Sequence, residues 1–426
     1  MRVLICTRGS WGDVLPYVGL SRELQARGHE VMMIVNAANL KTVSARQIPC
    51  IAFDSFAKYQ SKQKEFKGLT QSLLGSLKVL RKLGQHLQAE VDCICDHASN
   101  FDVIVGSQTS LAAPLVARAT GKPWVFSAVS PMAFFSFIDP PYLHGLRWLR
   151  TDSPLPVWWK DVLKWFFLKL SDVVYVEYRN VERRLNLPHQ HPLFHGRYSQ
   201  SLNLALFPSL LAPPQVDWPN PYVQCDPSSF EPSLVNRSVD HELKDFLESG
   251  PPPVVFTLGS VSRVDPRDFY DVALKVVAKL GIRAVFVKRT EVQLNLDPAL
   301  PVHICNYADY SVLFGSAIAV VHHGGIATLM HALRAGKPSL ILPRTLDQFD
   351  HAERARHLGV AKVIPFMQLT ESRMCKELQK LLLCSRGHIH LFDGDEAQST
   401  MSCMVKTCQE IENLLGATPC HSEKIT

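Results

Sequence analysis

One stretch limits the folds open to this chain more than any other: AIAVVHHGGIATLMHALRAGKPSLILPRTLDQFDHA, from Ala317 to Ala352. Ile318 to Val321 is a short, β-branched apolar run without alternation, the pattern of a parallel strand buried on both faces. His322-His323-Gly324-Gly325 then makes a turn. Thr328 to Ala335 has helical spacing, with Leu329, Ala332 and Leu333 on one side. Gly336 is placed to end that helix and Pro338 forbids its continuation. Ser339 to Leu342 is the next strand, and Asp347 and Gln348 are expected on the loop beyond it.

The physics of such a turn favours an anion. Two glycines let the backbone approach a ligand without side-chain clash. A helix start offers free N–H groups and the positive end of its dipole. A histidine and the Thr328 hydroxyl add donors. Asp347 and Gln348 suit a polyol, since carboxylate and amide groups pair well with hydroxyls. Phosphate at one end and sugar at the other describe a nucleotide-sugar.

HHGGIAT, LRAGKP and DQ, in that order, resemble the donor signature of the GT-B glycosyltransferases, within the UDP-glycosyltransferase superfamily. The nearest pattern is that of sterol and antibiotic (natural-product) glycosyltransferases, HHGGAGT…ALRAGVP…DQ. The resemblance gives His323 the diphosphate-binding role, because it precedes Thr328 by the spacing H-x-G-x-x-S/T. Gly325, Ile326, Ala327 and Thr328 would add backbone and hydroxyl contacts, and Asp347 and Gln348 would hold the sugar. The competing reading is a plain glycine turn with His323 capping a helix.

Other segments extend the likeness. Residues 2–7 form an apolar strand, Gly9-Ser10-Trp11-Gly12-Asp13 a glycine turn, Val14 to Ala26 a helix and Glu30 to Val35 a second strand. This βαβ opening places a crevice at the end of the first strand. GSWGDVLPY resembles the family's GSRGDVQPY, in which Asp13 aligns with the general base and Gly9, Ser10, Trp11 and Gly12 border the acceptor. An Asp just before a helix is also an ordinary N-cap. Val254 to Leu258 is a strand ending in Gly259-Ser260, which resembles a family turn that offers Ser260 to the leaving phosphate. Asn306, Tyr307 and Ala308 open the stretch NYADYSVLF, where relatives grip the nucleotide base; here Asp309-Tyr310 replaces a Pro-His pair. Ile326-Ala327 stands in place of Ala-Gly, and Trp11 in place of Arg.

Composition narrows the remaining classes. A net charge of +6 without clustering argues against nucleic acid. Eleven cysteines without paired zinc spacing fit reduced thiols and a cytoplasmic setting. The chain runs straight into a strand without a signal peptide, and no apolar run reaches membrane-spanning length. His189, His191 and His195 look like a metal cluster, but Pro188 and Pro192 break any helix there, so a loop of solvent histidines is the better reading. Asp393-Gly394-Asp395 imitates a metal-binding DxD and reads as a turn. Ser130 to Leu170 is aromatic, and residues 155–170 leave three readings open: an interfacial helix touching a membrane, the wall of an apolar acceptor pocket, or a helix packed on its own domain.

The expected fold class is therefore α/β, GT-B, with two Rossmann-like, doubly wound parallel-sheet domains facing a cleft. Residues 1–215 would bind the acceptor, 216–253 link, 254–405 bind the nucleotide-sugar, and 406–426 form a final helix and tail crossing back to the first domain. The expected activity is metal-independent, inverting transfer of a hexose from a nucleoside diphosphate, most simply a UDP-sugar, to a hydroxyl of an apolar small-molecule or lipid acceptor. No cofactor is expected beyond that co-substrate. A nucleotide-sugar epimerase and a non-catalytic partner that kept the fold are the alternatives.

Overall fold

The computed structural model describes residues 1–57, 81, 84, 87–142, 156, 158–159, 162, 165, 169, 174–192, 195–225, 241–259, 267–288, 294, 297–384 and 396–416. The expectations for Ser260, for Asp393-Gly394-Asp395 and for most of 155–170 lie outside the described residues.

Two parallel sheets organise the chain. The first contains β1 (Arg2–Cys6), β2 (Glu30–Val35), β3 (Cys50–Ala52), β4 (Val103–Ser107), β5 (Trp124–Ala128), β6 (Leu202–Ala205) and β7 (Tyr222–Gln224). The second contains β8 (Val254–Thr257), β9 (Ala284–Val287), β10 (Val302–Cys305), β11 (Ala319–His322), β12 (Ser339–Ile341) and β13 (Ala361–Val363). Their orders are β3-β2-β1-β4-β5-β6-β7 and β10-β9-β8-β11-β12-β13. Each sheet thus reverses direction beside its first strand, between β1 and β4 and between β8 and β11, where a doubly wound sheet opens a ligand crevice.

The central strands are apolar throughout because both faces of each sheet are covered. In β1, Val3 and Ile5 join one core while Leu4 and Cys6 join another on the opposite face. In β8, Val254 and Phe256 face one core and Val255 the other. The helices that matter for the site are α1 (Trp11–Ala26), α2 (Ile326–Arg334), α3 (Leu346–His357) and α4 (Glu396–Gly416). One apolar cluster joins Val14, Tyr17 and Val18 of α1 to Ile326, Leu329 and Met330 of α2, so the domains meet through packed side chains. α4 returns to the first domain, where Cys408 and Ile411 are fully buried and Glu412 is gripped by Arg27 at 2.6 Å and His29 at 2.7 Å.

Several expectations change here. Asp347 and Gln348 are not on a loop; they form the first turn of α3. Asp13 does not precede its helix; it is the third residue of α1, with Ser10 at the cap. The short strands β3, β7 and β13 have no counterpart in the sequence reading. Not all thiols are free: Cys225, just after β7, is joined to Cys403 on α4.

Candidate active site

The turn after β1 is built around one carboxylate. Gly9 has φ +124°, and a Cβ there would lie 2.6 Å from Asp13 Oδ2. Asp13 Oδ2 accepts hydrogen bonds from the Ser10 N–H and the Ser10 hydroxyl, each at 2.8 Å. The other oxygen, Oδ1, has no partner among the described residues. Asp13 keeps a partly exposed face, yet burial pushes its pKa up to about 6, with Asp347 adding to the rise. The bonds from Ser10 and the nearby His351 pull the other way. Gly12 faces the second domain, its Cβ position 3.6 Å from Ala327 Cβ. Trp11 is partly exposed and lies under the Arg46 guanidinium at 4.7 Å.

The turn after β11 is built for the opposite charge. Gly325 is the N-cap of α2 and offers no side chain, and the first turn of α2 contains no acidic residue. The first N–H groups of the helix therefore have no anion of their own. The His323 ring is wedged between two glycines. A Cβ on Gly259 would lie 2.6 Å from its Cε1, and one on Gly325 would lie 2.5 Å from its Nε2. The ring is buried and its Nδ1 has no partner among the described residues. Burial lowers its pKa to about 4, helped by the positive charge of Arg344. At neutral pH His323 is thus an uncharged hydrogen-bond donor rather than a cation. His322 turns inward instead. Its Nδ1 accepts the Gly324 N–H at 3.1 Å, and burial lowers its pKa to about 3. Thr328 is buried in the first turn of α2, beside Ile326 and Ala327.

α3 brings the remaining polar groups to the same crevice. Burial raises the pKa of Asp347, and the negative charge of Asp347 in turn raises that of Asp13. Gln348 Oε1 accepts the backbone N–H groups of Arg344 at 2.9 Å and Thr345 at 3.3 Å. Its carbonyl therefore caps α3, and only its amide NH₂ remains for a ligand. Beyond β10, Asn306 is exposed, Tyr307 half-buried and Ala308 buried. Asp309 accepts from Ser311 N–H at 2.9 Å and caps the next helix. Tyr310 stacks on Phe314 at 4.6 Å and its hydroxyl meets Thr257 Oγ1 at 2.8 Å.

Three side chains at this crevice escaped the motifs. Arg344 lies over Phe366 at 3.9 Å, close enough to His323 to disfavour its protonation. His351 links Ser130 and Gly324. Arg354 pairs with Asp139 of the first domain at 2.6 Å and with Asp350 at 3.0 Å. The available signal was the spacing of His351 four residues after Asp347 on one helix. Among the described residues no group of metal-ligating side chains converges, and His189 pairs with Glu182 at 2.6 Å instead.

Comparison with known proteins agrees with this geometry. The family model described as "Erythromycin biosynthesis protein CIII-like, C-terminal domain" matches residues 283–388. The chain is similar to the sterol 3-beta-glucosyltransferase of Kluyveromyces lactis, 25% identical over 90% of this chain, though it spans only 32% of that relative. It is 28% identical to the O-mycaminosyltylonolide 6-deoxyallosyltransferase of Streptomyces fradiae, over 89% of each chain. The glycosyltransferase VinC, solved in complex with dTDP, shares the fold at a TM-score of 0.61 and 19% identity, over 97% of this chain and 96% of that one. Fold, matched segment and relatives all point to a GT-B glycosyltransferase of the sterol and natural-product type.

Proposed function

We propose that this chain transfers a hexose from a nucleoside diphosphate to a hydroxyl of an apolar acceptor, with inversion and without a metal ion. The observation that carries the reading is an opposition across the cleft. Among the described residues, one Asp13 carboxylate oxygen is unbonded on one side, and the start of α2 has no side-chain cap on the other.

The roles follow from that charge pattern. Asp13 Oδ1 accepts the acceptor's proton as its oxygen attacks the anomeric carbon. With a pKa of about 6 it is mostly ionised at pH 7, yet more basic than an ordinary carboxylate. Negative charge then builds on the leaving diphosphate. His323, Thr328 and the N–H groups of Gly325, Ile326 and Ala327 receive it, and Arg344 adds a positive field. Asp347 and the Gln348 amide hold sugar hydroxyls. The loop at Asn306, Tyr307 and Ala308 borders the base. Inversion is what the family relation implies.

An apolar acceptor is supported by exposed apolar side chains of the first domain. Phe137 and Ile138 are exposed, on a loop pinned by Asp217 to Ser136 Oγ and the Phe137 N–H, each at 2.7 Å. Trp158 and Trp165 are more than half exposed, an aromatic surface that an apolar acceptor or a lipid interface would cover. Among the described residues no helix is long and apolar enough to cross a membrane.

The test is a panel of UDP-, dTDP- and GDP-sugars. A donor present at a hundred times its Kd should stabilise the chain by about 2.7 kcal/mol and raise its melting temperature. Turnover should require an acceptor and should survive EDTA. Donor conversion without any acceptor would favour the epimerase, and binding without turnover the non-catalytic partner. If no nucleotide-sugar raises the melting temperature, the transferase reading is lost.

A further inference from the structure

The His351 ring lies where the two domains meet, and both of its nitrogens are engaged. Nδ1 is 2.9 Å from the Gly324 carbonyl oxygen, and Nε2 is 2.9 Å from the Ser130 hydroxyl of the first domain. A carbonyl can only accept, so Nδ1 carries a proton. The second bond joins Nε2 to the Ser130 hydroxyl. His351 and Ser130 are both buried to within 1% of completely, so water does not replace either bond.

Both partners are held in place beforehand. Gln108 Oε1 accepts the N–H groups of Val129 and Ser130, each at 3.0 Å, which fixes where the Ser130 hydroxyl stands. On the other side, His351 is flanked on α3 by a second joint between the domains. Arg354 reaches Asp139 at 2.6 Å, and Asp350 accepts the Tyr142 N–H at 3.0 Å.

The carbonyl that His351 grips has a consequence for the turn. In a trans peptide the C=O of one residue and the N–H of the next point in opposite directions. Holding the Gly324 oxygen toward α3 therefore turns the Gly325 N–H away from α3. That N–H has no partner among the described residues. Gly324 has φ +86°, and a Cβ there would lie 2.9 Å from Ile341 and 3.1 Å from the Gln348 carbonyl oxygen. The position must be glycine, and a peptide between two glycines rotates easily unless something holds it.

We propose that His351 is a positioning residue that holds the Gly324 peptide for the donor and separately ties the donor turn to the first domain. Through Nδ1 it holds the Gly324 peptide so that the Gly325 N–H faces the donor diphosphate. The inference rests on reading this turn as the diphosphate site.

Two substitutions separate the two bonds. An asparagine amide reaches about as far as Nδ1, so His351→Asn can keep the bond to Gly324 and loses Ser130. A glutamine amide reaches about as far as Nε2, so His351→Gln can keep Ser130 and loses Gly324. The affinities of UDP and dTDP are measured by calorimetry without acceptor, and kcat is measured separately. His351→Gln and His351→Ala should weaken diphosphate binding about tenfold, the order expected for a lost bond to a charged group. His351→Asn and Ser130→Ala should bind it within about twofold of the parent chain, with kcat lowered about fivefold. A histidine that served only stability would lower the melting temperature without this split between binding and turnover. Equal diphosphate affinity in His351→Gln and His351→Asn overturns the inference. Failure of the unmodified chain to bind either diphosphate overturns the reading of the turn itself, and the inference with it.

Discussion

Both domains place a strand, a glycine turn and a helix where their strand order reverses, but α1 enters its helix with a carboxylate and α2 enters without one. In the first turn of α1, Asp13 already stands at the positive end of the helix and binds the backbone of its own cap. In the second, Gly325 caps with nothing and the acidic positions are empty. The same local geometry therefore yields a base on one side of the cleft and an anion site on the other. What differs is whether the chain or a ligand supplies the negative charge.

The electrostatics sharpen this contrast. A helix start and two hydrogen bonds from Ser10 should hold a carboxylate below its ordinary range. Asp13 is nevertheless raised to about 6, because burial and Asp347 outweigh them. Across the cleft, burial drives His323 down to about 4 and leaves it neutral. Both groups are thus shifted toward their uncharged forms, and only the carboxylate remains largely charged at pH 7.

The largest test of the contrast is Asp13→Asn. An amide can still accept from Ser10 but cannot take up the acceptor's proton. Turnover should fall about 10²-fold or more, the usual contribution of a general base, while donor affinity stays unchanged. Near-parental kcat in a folded variant would remove Asp13 from the chemistry. His323→Ala comes next, with a loss of turnover of about 10²-fold for a missing transition-state donor. Its effect belongs to the second domain alone, so the pH profile of the residual activity should keep its shape. A folded variant with full turnover would leave the His323 assignment without support.

How much of this was legible beforehand follows from chain separation. β1, β8 and β11 could be read because each is an apolar run leading into a glycine turn. The strands β3, β7 and β13 are three residues each, too short for any periodicity to show. His323, Thr328, Asp347 and Gln348 could be singled out because they fall within one short stretch. Their helical setting could not, since Gln348 looks like a loop residue until its carbonyl is seen capping α3. The joint between His351 and Ser130 had no local signal, because 221 residues separate its partners.

A smaller effect separates the two turns by glycine. Gly325 has φ −62°, so alanine suits its backbone, but the added Cβ would lie 2.5 Å from His323 Nε2. Displacing a packed ring costs about 1–3 kcal/mol, so Gly325→Ala should weaken UDP or dTDP binding about tenfold. Gly9→Ala presses on Asp13 Oδ2 instead, at φ +124°, and should lower kcat without moving diphosphate affinity. If both variants alter the same parameter, the division of labour between the turns does not hold.

The smallest effect is on stability, and its sign follows from linkage. Asp13 has a folded pKa of about 6 against an ordinary value of 3.8, so the native state holds that proton more tightly than the unfolded chain. Its contribution to stability is full below pH 4 and is lost as pH rises through 6. Asp13→Asn has no such proton to lose. Relative to the parent chain it should therefore gain stability between pH 4 and pH 7, by about 1–3 kcal/mol at about 1.4 kcal/mol per pH unit. Over the same window the parent's kcat/KM should fall toward acid, close to tenfold per pH unit below about 6, as the base is protonated. Melting curves of both chains at pH 4, 5, 6 and 7 measure the first quantity, and a rate profile measures the second. A difference in melting temperature that stays flat across the series would mean that the carboxylate is solvated like any surface aspartate. In that case burial does not set its basicity, and the contrast with the second turn would rest on the open helix start alone.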